Sequence, residues 1–228
     1  MNNKLKSRKA TPNGNIKYIN FVKNWLHQAF SYMDKGEKCF RVFIVILEIT
    51  ILSLISYHLF ALPLIYLLTA NIIIVHTFNW LTNGLFWAIT IFAIPGLTNP
   101  GEKKTVQYLN EMEARLRKCN SISGLVIFGS VTRGKWHDRS DIDIRILRNS
   151  GFVNLIVSNL VTMQERLIAF FSKQPMDLYL ADNIIFFNKM RDDEQPIFLI
   201  KKGEILKETY PNIYETNLNK LSHVDVLN

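Results

Sequence analysis

Between residues 128 and 147 the chain reads FGSVTRGKWHDRSDIDIRIL. Asp141 and Asp143 stand two residues apart in a run where charged residues alternate with isoleucine, which predicts a strand. Successive side chains on a strand point to opposite faces, so Asp141, Asp143 and Arg145 are expected on one face and Ile142, Ile144 and Ile146 on the other. Two ionised carboxylates side by side repel each other unless something positive sits between them. Magnesium supplies that charge: it prefers hard oxygen ligands and, in phosphoryl sites, takes one or two carboxylates together with substrate phosphates. Asp177, which alternates with Met176 and Leu178 in PMDLYL, is the expected third carboxylate on a neighbouring strand. Gly129 ends the preceding strand and lets a phosphate approach the backbone, and the Ser130 hydroxyl can donate to phosphate oxygen. Arg133 and Lys135 add positive charge nearby.

The elements that must position these residues alternate helix and strand. Residues 102–119 read as a helix with Val106, Leu109, Met112 and Leu116 on one side, and 124–128 as a short buried strand. Residues 141–147 and 176–181 read as alternating strands. Between them Ile156, Leu160, Met163, Leu167 and Phe170 recur at helical spacing over about five turns. Residues 196–208 read as two short strands around a Lys-Gly turn. The expectation is an α/β (α+β) domain with a small mixed sheet and flanking helices, over residues 101–210, followed by a tail at 211–228.

Ahead of this domain no Lys or Arg occurs from Val42 to Pro100, and Glu48 is the only acid there. A spanning helix needs about 20 apolar residues. The stretch 42–97 is therefore expected as a two-helix transmembrane hairpin, with spans near 42–66 and 70–95 and an uncertain turn. Basic residues flank both ends: Lys35, Lys38 and Arg41 before, Lys103 and Lys104 after. The positive-inside tendency then places both termini and the folded domain in the cytoplasm. The stretch starts too late and runs too long for a signal-peptide core. Glu48, His58 and His76 fall within the spans, where helix–helix hydrogen bonding is the plain account and an intramembrane site the sharper one.

Residues 1–41 hold nine Lys/Arg against Asp34 and Glu37, a net of +7, whereas 101–228 carry only +2. Within this basic segment Ile19, Val22, Leu26, Ala29 and Met33 oppose Lys17, Asn20, Asn24, Gln28 and Ser31, the pattern of an amphipathic helix on a membrane surface or on the folded domain. The lysines point to an anionic bilayer as partner. A near-neutral C-terminal part without a strong basic groove disfavours nucleic acid as a partner and fits a template-directed polymerase poorly. Cys39 and Cys119 make neither metal-ligand spacing nor a disulfide.

The order hydrophobic residue, Gly-Ser, a ten-residue spacer and Asp-hydrophobic-Asp-hydrophobic, with a third Asp on a later strand, resembles the nucleotidyltransferase superfamily that includes the polymerase-beta-like enzymes. The residues that carry it are Phe128, Gly129, Ser130, Arg133, Gly134, Ser140, Asp141, Ile142, Asp143, Ile144 and Asp177, and the form GSxxRGxxxxxSDIDI is similar to the minimal members. The resemblance covers about 100 residues and does not extend to the hairpin. It implies that Asp141 and Asp143 bind the ion on the triphosphate, and that with Asp177 they hold a second ion beside the acceptor oxygen. The cofactor would be Mg2+, two ions, with Mn2+ as a substitute. Asp177 would also help deprotonate the acceptor, and Gly129, Ser130, Arg133 and Ser140 would line a nucleoside triphosphate such as ATP.

Plainer readings stand beside these. The paired aspartates could be a solvated strand face and Arg145 a surface ion pair. His137 reads as a loop residue, Trp136 as loop packing, Asp182 as the start of a turn and RDDEQP (191–196) as a solvated loop. Two function classes follow: a membrane-anchored enzyme that transfers a nucleoside monophosphate to an unidentified acceptor, an envelope glycan, lipid precursor or protein, and a tethered nucleotide-binding module that regulates without turnover.

Overall fold

A computed structural model describes residues 14–28, 30–60, 62–82, 85–185 and 195–216. The elements run α1 (Gly14–His27), a 3-10 turn (Phe30–Tyr32), α2 (Lys35–Leu59), α3 (Leu64–Thr82), α4 (Leu85–Ala93), α5 (Glu102–Arg117), β1 (Ile122–Phe128), β2 (Ile142–Arg148), α6 (Phe152–Phe171), β3 (Met176–Ala181), β4 (Ile197–Lys201) and α7 (Glu204–Thr209). The four strands form one mixed sheet in the order β3-β2-β1-β4. β1 pairs antiparallel with β2 and β4, and β2 pairs parallel with β3 across α6. This is the expected mixed α+β architecture.

The alternation in β2 has the expected consequence. Ile142, Ile144 and Ile146 pack with Met176, Leu178 and Leu180 of β3, Met112 and Leu116 of α5 and Ala169 of α6. A second cluster of Val126, Phe128, Leu147, Phe198 and Leu206 fills the area under α7. The segment 196–208 differs from expectation: it is one strand followed by a helix. After Gly203 the run EILKET is rich in helix formers, and a single turn is enough to drop Leu206 into the second cluster.

Helix α6 also departs from the apolar stripe read in the sequence. Its buried residues are Ser158, Asn159, Thr162, Glu165, Arg166 and Ala169, while Leu160 is half exposed. The polar groups are buried because each has a partner. Ser158 Oγ donates to Ser121 O, Thr162 Oγ1 to Ser158 O, and Arg115 grips Glu165 with two bonds of 2.8 Å. Met163 and Leu167 of the stripe line a cavity shared with Phe40 and Ile44 of α2 and Phe78 of α3.

The apolar stretch is divided into three helices. α2 and α3 are each long and apolar enough to cross a membrane. The connection between them falls after Leu59 and before Leu64, earlier than read from the sequence, and the carbonyl of Pro63, just ahead of α3, accepts from Tyr66 N–H. Asn71 Nδ2 donates to Ser53 and Ser56 Oγ across the pair, and Asn79 Nδ2 donates to Glu48 Oε2. Large apolar side chains from Val42 to Phe78, Ile46, Leu54, Ile65 and Ile73 among them, face outward. The rest of the second expected span is α4, which instead packs on the folded domain: Trp87 Nε1 donates to Phe170 O, and Ile89 meets Met33 and Tyr179.

α1 crosses the end of α3 with the opposite face to the one its pattern suggests. Asn24 Oδ1 accepts from Trp80 Nε1, Gln28 Nε2 donates to His76 O, and Trp25 packs edge-on against His76. Buried polar ends of α3 need partners, and α1 supplies them. Val22 and Leu26 are left outward. Ala29 lies outside the described residues, as do residues 191–194 of the RDDEQP run expected as a solvated loop.

Helix α2 is fixed to the sheet by its first turn. β3 is an edge strand, and its outward N–H groups would be unpaired without a cover. Leu180 N–H donates to Glu37 Oε2 at 2.9 Å and Asp182 N–H to Asp34 Oδ2 at 2.9 Å. Arg166 bonds Glu37 Oε1 and Leu178 O, while Asp182 accepts from Gly36 N–H and Arg148 Nε. Asp182, expected to open a turn, is thus a bridge between α2 and β2.

Candidate active site

Parallel pairing sets Asp143 of β2 directly beside Asp177 of β3. Both are partly buried, and the two carboxyls lie close enough for each to feel the other's charge. Burial, then the charges of Asp177 and Asp141, push the Asp143 carboxyl up to about 7. Burial, then Asp177, push Asp141 up to about 6. These are carboxylates held together without enough positive charge around them. Asp177 Oδ1 is buried and has no hydrogen-bond partner.

The Gly-Ser pair closes over this pair. Phe128, the last residue of β1, pairs with Asp143, and Gly129 follows at φ +77°. A Cβ built on Gly129 would stand 1.9 Å from Asp143 Oδ2, so only glycine permits the turn to lie against the carboxylate. Ser130 Oγ reaches Asp141 O at 3.5 Å, and Ser130 O accepts from Lys135 N–H. Arg133 Nε donates to Gly129 O at 3.2 Å, and Thr132 Oγ1 donates to the same carbonyl. Ser140 is buried, and its hydroxyl accepts from His137 N–H, so it shapes the loop before Asp141.

Arg145 is not a surface ion pair. It is 8% exposed, donates to Ile144 O and Asp177 O, stands 3.7 Å from Asp177 Oδ2 and stacks 4.5 Å from the centre of the Tyr179 ring. Alternation along β2 puts it on the aspartate face, as read from the sequence, but its burial follows from Tyr179, which covers it. Trp136 packs against the core and His137 is an exposed loop residue, both in accord with the plain readings.

The residues fit a divalent cation in one respect and not in another. Asp143 and Asp177 offer hard oxygens, one of them an unpartnered buried Oδ1, beside a turn with no Cβ to block an approaching phosphate. Among the described residues no group of three His, Cys, Asp or Glu side chains is gathered closely enough to hold one ion. The donor set thus suits an ion completed by substrate phosphate oxygens rather than an all-protein cage. No pattern in the sequence marks the contacts that Asp34, Glu37 and Asn99 make to this domain, since each bonds a backbone group far away along the chain.

Residues 109–228 match the nucleotidyltransferase domain family. No curated protein and no solved structure matches the chain.

Proposed function

The chain belongs to the nucleotidyltransferase domain family, and from that premise we propose a membrane-anchored enzyme that moves a nucleoside monophosphate from a nucleoside triphosphate to an acceptor. The observation that carries this reading is the pairing of Asp143 with Asp177 beneath the Gly129 turn. Asp141, Asp143 and Asp177 would share Mg2+, or Mn2+ in its place, no one ion taking all three and each being completed by phosphate oxygens. When bound, the two ions neutralise charge on the phosphates and on the attacking and leaving oxygens. Gly129 admits the triphosphate to the backbone, Ser130 and Arg133 orient it, and Ser140 holds the loop that carries Asp141. Asp177, on the edge strand, takes the acceptor proton. The acceptor oxygen bonds the α-phosphorus, the bond from that phosphorus to the bridging oxygen breaks, and pyrophosphate leaves with the electron pair.

The anchor rests on the outward apolar faces of α2 and α3, a surface far larger than soluble monomers expose, with Val22 and Leu26 of α1 beside its base. Basic flanks place the catalytic domain and both termini in the cytoplasm. Glu48 and His76 act as helix–helix bonds, to Asn79 and to the Trp25 carbonyl. An acceptor resident in the membrane, a glycan or lipid precursor or a protein, follows from the anchor. The test supplies four α-labelled triphosphates with magnesium to membranes containing the chain. Label retained on a lipid, sugar or protein supports the reading and names the acceptor class, whereas binding without transfer replaces it with a regulatory module.

A further inference from the structure

We propose that Asn99, in the linker between α4 and α5, is a positioning residue that fixes the loop leading into Asp141; the inference rests on the nucleotidyltransferase reading of that aspartate. Asn99 is 7% exposed. Its Nδ2 donates to His137 O at 2.8 Å and to Ser140 O at 3.3 Å, and its backbone N–H donates to Asp138 O at 2.7 Å. Its Oδ1 accepts from Gly101 N–H at 3.1 Å, at the start of α5. Every polar group of the side chain is thus engaged, three loop carbonyls within four residues are held from one side, and a buried amide so satisfied has one orientation.

The loop returns the grip. Arg139 donates to Ile91 O of α4 through Nη2 at 2.8 Å and Nε at 3.3 Å. Ser140 closes the turn inside, with its N–H on His137 O and its hydroxyl under His137 N–H. Asp141 is the next residue, and its carbonyl accepts from Ser130 of the Gly-Ser turn. A displacement at Ser140 therefore moves the first aspartate and the triphosphate turn together. Asn99 precedes the family match at 109–228, so this clamp comes from the segment that joins the apolar helices to the domain.

Two variants of the full chain in detergent micelles separate positioning of the loop from anchoring of the residue ahead of α5. Asn99→Asp keeps an oxygen for Gly101 N–H but has no N–H to give the loop. Asn99→Ala loses both. Amide exchange over 137–143 should quicken about 10-fold or more in both variants, while exchange within α5 in Asn99→Asp stays as in the wild type. Affinity for ATP with magnesium should fall by about 10-fold in both, because a small misplacement of a positioned group is costly. Wild-type loop exchange in Asn99→Asp would reduce Asn99 to an anchor for Gly101 and overturn the proposal, as would an equal rise across the whole domain. Loosening of the loop in the two variants, together with a wild-type chain that binds none of the four nucleoside triphosphates with magnesium, would uphold the clamp and remove the transferase reading instead.

Discussion

Replacing Glu37 by Gln isolates the charge that docks α2 on the sheet. The side chain keeps its volume and keeps an oxygen that can accept from Leu180 N–H, but Arg166 loses its only carboxylate partner among the described residues. Glu37 is 2% and Arg166 4% exposed, so the lost partner is not replaced by bulk solvent. Breaking a buried pair in this way costs about 3–5 kcal/mol. For a chain of this size about 1 kcal/mol lowers the melting temperature by about 2–4 °C, so the expected loss is roughly 6–20 °C. Thermal melting of the full chain in detergent, followed by tryptophan fluorescence, reads it directly. Glu37→Gln with Arg166→Met removes both charges and should recover part of the loss, although Leu178 O then lacks its donor. A single variant melting within about 2 °C of the wild type would refute the reasoning, because a truly buried arginine cannot lose its partner at so small a cost.

Two further outcomes concern the carboxylates. Asp141 and Asp143 titrate above the ordinary carboxylate range, so in the absence of divalent cations the folded chain binds protons that the unfolded chain has released. Their contribution to stability is complete below pH 4 or so and is lost as pH rises through about 6 to 7, on the order of 3–4 kcal/mol for each. Melting temperatures in EDTA should therefore fall from pH 5 to pH 8, and added magnesium should flatten the fall; a slope unchanged by Asp143→Asn would contradict the assignment. Gly129→Ala places a methyl against Asp143 Oδ2 in a backbone conformation that costs an L-residue about 1–2 kcal/mol. Transfer should drop about 100-fold or more, for a melting loss of only a few degrees, and near-normal transfer would show that the turn does not border the reacting groups.

What the sequence made legible is what local periodicity encodes. Alternation in DIDIRIL fixes which side chains share a face, and the same alternation in MDLYLA, once the strands are paired, brings Asp177 beside Asp143. Gly129 was legible because a Gly-Ser pair at a strand end has few other uses. Asn99, Asp34, Glu37 and Asp182 were not legible, because each acts through a bond to a backbone group or side chain tens of residues away, which leaves no periodic trace. Composition misled at 85–93, where apolar character says that α4 is covered but not whether lipid or β3 covers it, and the apolar stripe of α6 carries no sign that Glu165 and Arg166 are buried against Arg115 and Glu37.

The central claim is that Asp177 acts with Asp143 on a nucleotide bound under the Gly129 turn. Asp177→Asn preserves shape and the backbone bond to Arg145 while removing the charge and the proton acceptor. Nucleotidyl transfer from α-labelled triphosphate in membranes carrying this variant should fall about 100-fold or more, with the melting profile within a few degrees of the wild type. Transfer at the wild-type rate by Asp177→Asn would contradict the account.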